Sequence, residues 1–169
     1  MSAFAIRYCP ACGAAAFAAT SVKSYACGAC GFTYFHNLAT GVFAVIRQAE
    51  HVLWTVRAED PGRGMLDLPG GFADYDETLE QAVLREVREE LGLVLPAPRY
   101  LFSAPNRYRY RGVLYYTVDA AFAFELAVRP AIVLDAENSA ARWLRLDEVD
   151  PEAVAFESIR TALARLRGG

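Results

Sequence analysis

Lysine is almost missing from this chain: of 17 basic residues only Lys23 is not arginine. Cysteine does not occur after Cys30, and histidine occurs only at His36 and His51. No apolar run approaches the ~20 residues that a membrane span requires. The opening MSAFAIRYCP lacks the apolar stretch of a secretory signal. Positive charge is short overall, and a net charge of −3 with a pI near 5.4 argues against a general nucleic-acid binder held by phosphate contacts. Gly62, Gly64, Gly70 and Gly71 do not give the spacing of a dinucleotide fingerprint, and no lysine stands where a phosphate loop needs one. These absences leave a soluble cytoplasmic protein as the expectation. At 169 residues, 54% of them hydrophobic, the chain suits one medium domain with a small module attached.

The small module is read from the cysteines. All four lie within the first 30 residues, as Cys9-Pro-Ala-Cys12 and Cys27-Gly-Ala-Cys30, with 14 residues between the pairs. Gly13 and Gly31 follow the pairs and allow the tight turns that bring sulfurs onto one ion. Four thiolates around Zn²⁺ make a closed, structural site. The rival is two disulfides, which an intracellular setting disfavours. Residues 1–36 therefore read as a zinc ribbon, two knuckles joined by a β-like stretch from Phe17 to Tyr25. Phe32, Tyr34 and Phe35 form an aromatic seam expected to pack ribbon against main domain.

Residues 37–169 read as that main domain. Thr40–Arg47 and Val52–Arg57 have the β-branched and aromatic content of an antiparallel hairpin. Met65–Leu68 is a short strand candidate and Arg99–Ser103 another. Val113–Leu126 is the longest, and Ala141–Leu146 the last. A helix starts near Thr78 with the form of a capping box and stops at Gly92. A second covers Phe156–Leu166. A mixed sheet with helices on opposite faces makes an α/β sandwich.

The first helix breaks the rules of a helix built for stability. Glu86, Glu89 and Glu90 stand three and four apart, where like charges repel by roughly 0.2–0.5 kcal/mol per pair. Glu89 and Glu90 also face the negative end of the helix dipole. At about 100° per residue, Glu90 falls inside the apolar sector of Leu79, Val83, Leu84, Val87 and Leu91, and Glu86 falls at its edge. Such breaches mark functional sites, and a hard divalent cation is the simplest remedy for clustered carboxylates.

From Gly71 the chain reads Gly, five residues, Glu77, seven residues, then Arg85-Glu86-Val87-Arg88-Glu89-Glu90-Leu91-Gly92-Leu93. This resembles the Nudix box at every defined position, and the likeness extends over roughly residues 38–169. It implies a Nudix-type α/β/α sandwich and divalent-metal-dependent hydrolysis of a pyrophosphate bond, with Mg²⁺ or Mn²⁺ as cofactor. It further implies that Glu86, Glu90 and the Gly70 carbonyl hold the metal. Glu89 holds a second metal or acts as general base, Glu77 completes or orients the cluster, and Arg85 pairs with one carboxylate. Glu137 resembles an extra metal-ligating glutamate of some members. Asp76 stands where many members have glycine, and asparagine-like residues tolerate a left-handed backbone.

A ribbon before a Nudix domain is similar to two groups, the NADH pyrophosphatases and the ADP-ribose or FAD pyrophosphatases. The first group carries Ser-Gln-Pro-Trp-Pro-Phe-Pro-x-Ser; here Ser103–Arg111 keeps only Ser103, Pro105 and an aromatic at Tyr108. The expected substrate is therefore ADP-ribose, FAD or a similar small nucleotide, with release of AMP or another nucleoside monophosphate. NADH or NAD, a nucleoside triphosphate, and a ligand-sensing regulator without catalysis are the alternatives. Tyr108 can stack on a base and Arg107 or Arg109 can meet a phosphate; an exposed hairpin arm is the plainer reading of the same residues. Family habit suggests a homodimer.

Overall fold

The computed structural model describes residues 6–168. Its larger sheet is organised around β4 (Ala39–Gln48), whose residues alternate between two cores. β5 (His51–Arg57) turns back beside it, and β10 (Asn138–Arg145) pairs antiparallel with β5. On the other side β9 (Val113–Glu125) runs parallel to β4, and β8 (Arg99–Tyr110) forms the outer edge. Two short strands complete the seven: β6 (Leu66–Asp67) against β5, and β7 (Gly70–Phe72) against β4.

The period-2 alternation of β4 decides which helix covers which face. Val42, Ala44 and Ile46 point towards α1 (Leu79–Leu91), meeting Ala82, Val83, Val87 and Leu91. Phe43 and Val45 point the other way, towards Ile159, Ala162 and Leu163 of α2 (Glu157–Gly168). The expected sandwich with helices on opposite faces is therefore present. α1 begins at the Thr78 cap: Thr78 Oγ1 accepts from Gln81 N at 3.2 Å, and Gln81 Oε1 accepts from Thr78 N at 2.7 Å. It ends at Gly92, whose φ of 67° suits glycine at that position.

The ribbon is a separate three-stranded antiparallel sheet, β1 (Phe17–Ala19), β2 (Ser24–Cys27) and β3 (Thr33–Phe35). The stretch between the knuckles is thus two strands and a turn rather than one extended run. The aromatic seam does not form. Tyr34 packs inside the ribbon with Phe17 and Tyr25, while Phe32 and Phe35 are exposed. Alternation along β3 separates Tyr34 from Phe35, and Phe32 lies before the strand begins.

Residues 105–112, read as a loop or hairpin arm, are an arm. β8 continues without a break to Tyr110, and Arg111-Gly112 turns the chain into β9. Pro105 is accommodated because β8 lies at the sheet edge. No helix among the described residues is long and apolar enough to cross a membrane.

Candidate active site

β7 clamps the paired glycines onto the middle of β4, with Gly70 opposite Phe43 and Gly71 opposite Val42. A side chain at Gly70 would meet the Val42 carbonyl oxygen at 2.1 Å, so only glycine lets the two strands approach. α1 packs on the same face, and its last two turns bring the glutamates to this turn. Glu90 is buried at 8% exposure, and its Oε2 accepts a hydrogen bond from Gly70 N at 3.1 Å. Glu86 is half-buried beside Gly71.

Burial pushes the Glu90 carboxyl up to about 9, with the negative charge of Asp67 adding to it and the Gly70 N–H opposing it. Burial also raises Glu86, against the attraction of Arg85. Glu90 thus gathers with Asp67, Glu86 and Asp135 and takes one N–H donor, from Gly70. Hard oxygen donors of this kind fit Mg²⁺ or Mn²⁺.

Arg85 does more than pair with one acid. Its Nη1 donates to Glu86 at 2.9 Å and to Glu89 at 3.0 Å, and its Nη2 to Glu77 at 2.7 Å and the Phe72 carbonyl at 3.0 Å. This guanidinium is the hub that holds three box glutamates around the turn. Glu77 consequently serves Arg85, and the bond from Arg85 holds its carboxyl below the ordinary range. Glu89 is half-exposed and lies on the Arg85 side, away from buried Glu90. Asp76 adopts a φ of 64°, as the loop requires.

Beside the glutamates lies a cavity of about 140 Å³, lined by Gly70, Gly71, Phe72, Tyr108, Glu137 and Phe156 among others. Glu137 thus reaches the site from the loop before β10. Phe72 meets Tyr108 edge-on at 5.6 Å, and Tyr108 lies 5.7 Å from Phe156. Arg57 stands over the Phe156 ring at 4.9 Å and pairs with buried Asp67 at 3.0 Å. Burial raises the Tyr108 hydroxyl, with Arg57 opposing.

Of the three residues of the arm, only Tyr108 faces this cavity. Arg107 and Arg109 are exposed on the opposite face of β8, because strand neighbours alternate. Sequence reasoning missed Arg57, Asp67, Phe72, Phe156 and the buried group around Asp119. Asp119 alone carried a visible signal, as the one charge inside the apolar run of β9.

In the ribbon the four cysteine sulfurs lie within 4.8 Å of one another. Cys9 Sγ and Cys30 Sγ are 3.8 Å apart, and Cys12 Sγ and Cys27 Sγ 3.7 Å. Those separations are the edges of a tetrahedron of about 2.3 Å metal–sulfur bonds, and far exceed the ~2.05 Å of a disulfide. The backbone N–H of Cys30 leads the groups that bring the Cys27 thiol down to about 7. Against the Ala14 backbone N–H, the neighbouring sulfurs push the Cys12 thiol up, as expected where four thiols share one site.

A mixed sheet between two helices, with carboxylates of one helix gathered behind a Gly-Gly turn, is an α/β/α sandwich. Residues 36–166 match the NUDIX domain, and the chain belongs to that family. It is 27% identical over 160 residues to the NAD-capped RNA hydrolase NudC of Stutzerimonas stutzeri, covering 95% of this chain and 55% of that protein. The chain thus spans about half the length of that relative. The NUDIX domain of Shewanella oneidensis NrtR, solved with ADP ribose, superposes with a TM-score of 0.65 at 29% identity, covering 80% of this chain and 91% of that one. A NUDIX hydrolase from Nitrosomonas europaea shares the fold over 97% of this chain and 94% of its own, with a TM-score of 0.68 at 22% identity.

Proposed function

We propose that this protein is a Mg²⁺- or Mn²⁺-dependent pyrophosphatase acting on a nucleoside diphosphate joined to a second moiety, such as ADP-ribose or FAD. The observation that carries this is the burial of Glu90 and Glu86 behind the Gly70-Gly71 turn at the mouth of an aromatic cavity.

Glu86, Glu90, Glu89 and the Gly70 carbonyl would hold the cation, with Glu137 from the neighbouring loop. Such a cation neutralises charge on phosphoryl oxygens and makes bound water acidic. The chain supplies the rest by positioning. Arg85 holds Glu86 and Glu89 in place, and Glu77 holds Arg85. Phe72, Tyr108 and Phe156 wall the cavity for a base. Water oxygen bonds to phosphorus, the bridging P–O bond breaks, and the water's proton passes to a carboxylate of the cluster. The products are AMP, or another nucleoside monophosphate, and a second phosphate monoester.

NADH or NAD is the second reading, favoured by the NudC relative, whose own substrate is an NAD-capped RNA. An intact set of box carboxylates favours an enzyme over a ligand sensor. Zn²⁺ is the ion assigned to the four cysteines, as a structural staple for a ribbon of residues 1–36 too short to fold on its core alone. Reduced thiols suit the cytoplasm, and the open β8 edge offers a surface for a homodimer.

A panel of ADP-ribose, FAD, NADH, NAD and nucleoside triphosphates, each with Mg²⁺ and Mn²⁺, tests the reading. Cleavage of a diphosphate-linked substrate that Glu90→Gln abolishes is expected. No cleavage with either metal, or a fully active variant, overturns it.

A further inference from the structure

We propose that Asn106 reads the edge of the substrate's base and selects adenine, and that Asp119 is the positioning residue that sets the orientation of its amide. The proposal rests on the hydrolase reading and names the base it prefers.

Asn106 is 7% exposed and faces the cavity two residues before Tyr108 on the same face of β8. Its Nδ2 donates to Asp119 Oδ2 at 3.0 Å, and its Oδ1 accepts from Arg107 N at 2.9 Å. The Arg107 backbone N–H can only donate, so the amide oxygen must face it and the nitrogen faces Asp119. These two bonds leave Asn106, a residue of the cavity lining, with one N–H and one acceptor site unused.

Asp119 is itself held from three elements. Thr117 Oγ1 donates to Oδ1 at 2.8 Å, Ser158 Oγ of α2 donates to Oδ2 at 2.6 Å, and Asn106 comes from β8. Gly41 on β4 leaves the space, since an added Cβ would stand 2.6 Å from Asp119 Oδ1. Fixing one carboxylate this thoroughly fixes the amide next to it.

The remaining donor and acceptor of Asn106 match adenine, which shows a ring-nitrogen acceptor beside a donating amine. A 6-oxopurine shows a carbonyl where adenine has the amine, and would set acceptor against acceptor. The rings of Phe72, Tyr108 and Phe156, in the same cavity, suit the flat face of a purine.

The test measures kcat/KM for ADP-ribose and for its hypoxanthine counterpart, using the full chain with Mg²⁺ and a melting curve for each variant. Wild type is expected to prefer adenine by about tenfold or more, the range of one good bidentate contact. Asn106→Ala should bring the ratio to within about threefold, chiefly through KM for the adenine substrate. The near-isosteric Asp119→Asn should erode the same ratio, because it removes the charged acceptor that holds Asn106 Nδ2 in place and leaves the amide with the Arg107 N–H alone. A purely structural role would lower both substrates equally and leave the ratio intact. Equal cleavage of both substrates by wild type, or an unchanged ratio in folded Asn106→Ala and Asp119→Asn, overturns the proposal and leaves the hydrolase reading standing. Cleavage of neither substrate overturns the proposal, while the wider panel above decides the hydrolase reading by itself.

Discussion

A methyl group added at Gly71 would stand 2.4 Å from Glu86 Oε1 and 2.6 Å from its Cδ, so the second glycine of the turn keeps open the space that the helix carboxylate fills. The obstacle is the end of a flexible side chain, so Gly71→Ala should move Glu86 and leave the backbone where it is. The expected result is a loss of about 100-fold in kcat/KM, the scale of a ~1 Å misplacement, with stability changed by less than about 1 kcal/mol. At Gly70 the same addition meets Val42 and Phe43 backbone at 2.1 and 2.7 Å. Gly70→Ala should therefore cost about 3 kcal/mol or more of folding stability. Melting curves and steady-state rates on the pair of variants separate the two outcomes.

Glu90 couples function to instability. Burial and neighbouring acids push its carboxyl up to about 9, so its ionised form is costly when no cation offsets it. Glu90→Gln should lower kcat/KM by at least about 100-fold. In the presence of a chelator it should nevertheless melt a few degrees above wild type, since a neutral amide replaces a buried acid. Adding Mg²⁺ should raise the melting temperature of wild type and leave that of the variant almost unchanged.

The contrast between these residues explains how much was legible in the chain. Glu86, Glu89 and Glu90 announced themselves because each broke a local rule of helix design, and helix position follows from sequence spacing alone. The capping residues Thr78 and Gly92 were equally local, and both stand where the sequence places them. Asn106, Asp119 and Ser158 meet across β8, β9 and α2, and no spacing in the chain encodes that meeting. Arg57 was hidden for the same reason, since its partner Asp67 arrives through a separate short strand. The aromatic seam failed because Tyr34 turns into the ribbon while its strand neighbour Phe35 faces out and Phe32 lies exposed before the strand.

The ribbon should carry one bound ion per chain, identified by elemental analysis as zinc. Cys27→Ser removes a thiolate whose neighbours already favour its ionised form. The variant should lose the metal, and amide exchange in β1 to β3 should rise by at least about tenfold as the small sheet opens. Exchange in β4 and β9 should stay as in wild type, because neither strand pairs with the ribbon sheet.

Asp67 gives a pH dependence of defined sign. Burial raises its carboxyl from 3.8 to about 6, with Arg57 opposing. The folded chain then binds more protons than the unfolded chain between those values. The stability from this group is fully present below about 3.8 and is lost as pH rises through about 6. Asp67→Asn has no such titration. Relative to that variant, wild type should lose about 2 kcal/mol between pH 4 and pH 7. Denaturant titrations of both proteins in chelator, where other titrating groups cancel, check the sign and the size.

Tyr108 and Arg107 are neighbours on β8 that should behave as strangers to each other. Tyr108 stands against Phe72 and Phe156 on the cavity side, while Arg107 lies exposed on the reverse face. Truncating Tyr108 to alanine removes a stacking wall worth about 1–3 kcal/mol per base, so KM should rise about tenfold with kcat changed far less. Arg107→Ala should leave KM within about twofold, since its exposed side chain does not line the cavity. Initial-rate measurements on the two variants decide the matter: a larger effect at Arg107 than at Tyr108 would place the substrate on the opposite face of β8 and would break the link between the aromatic cavity and the Gly-Gly turn.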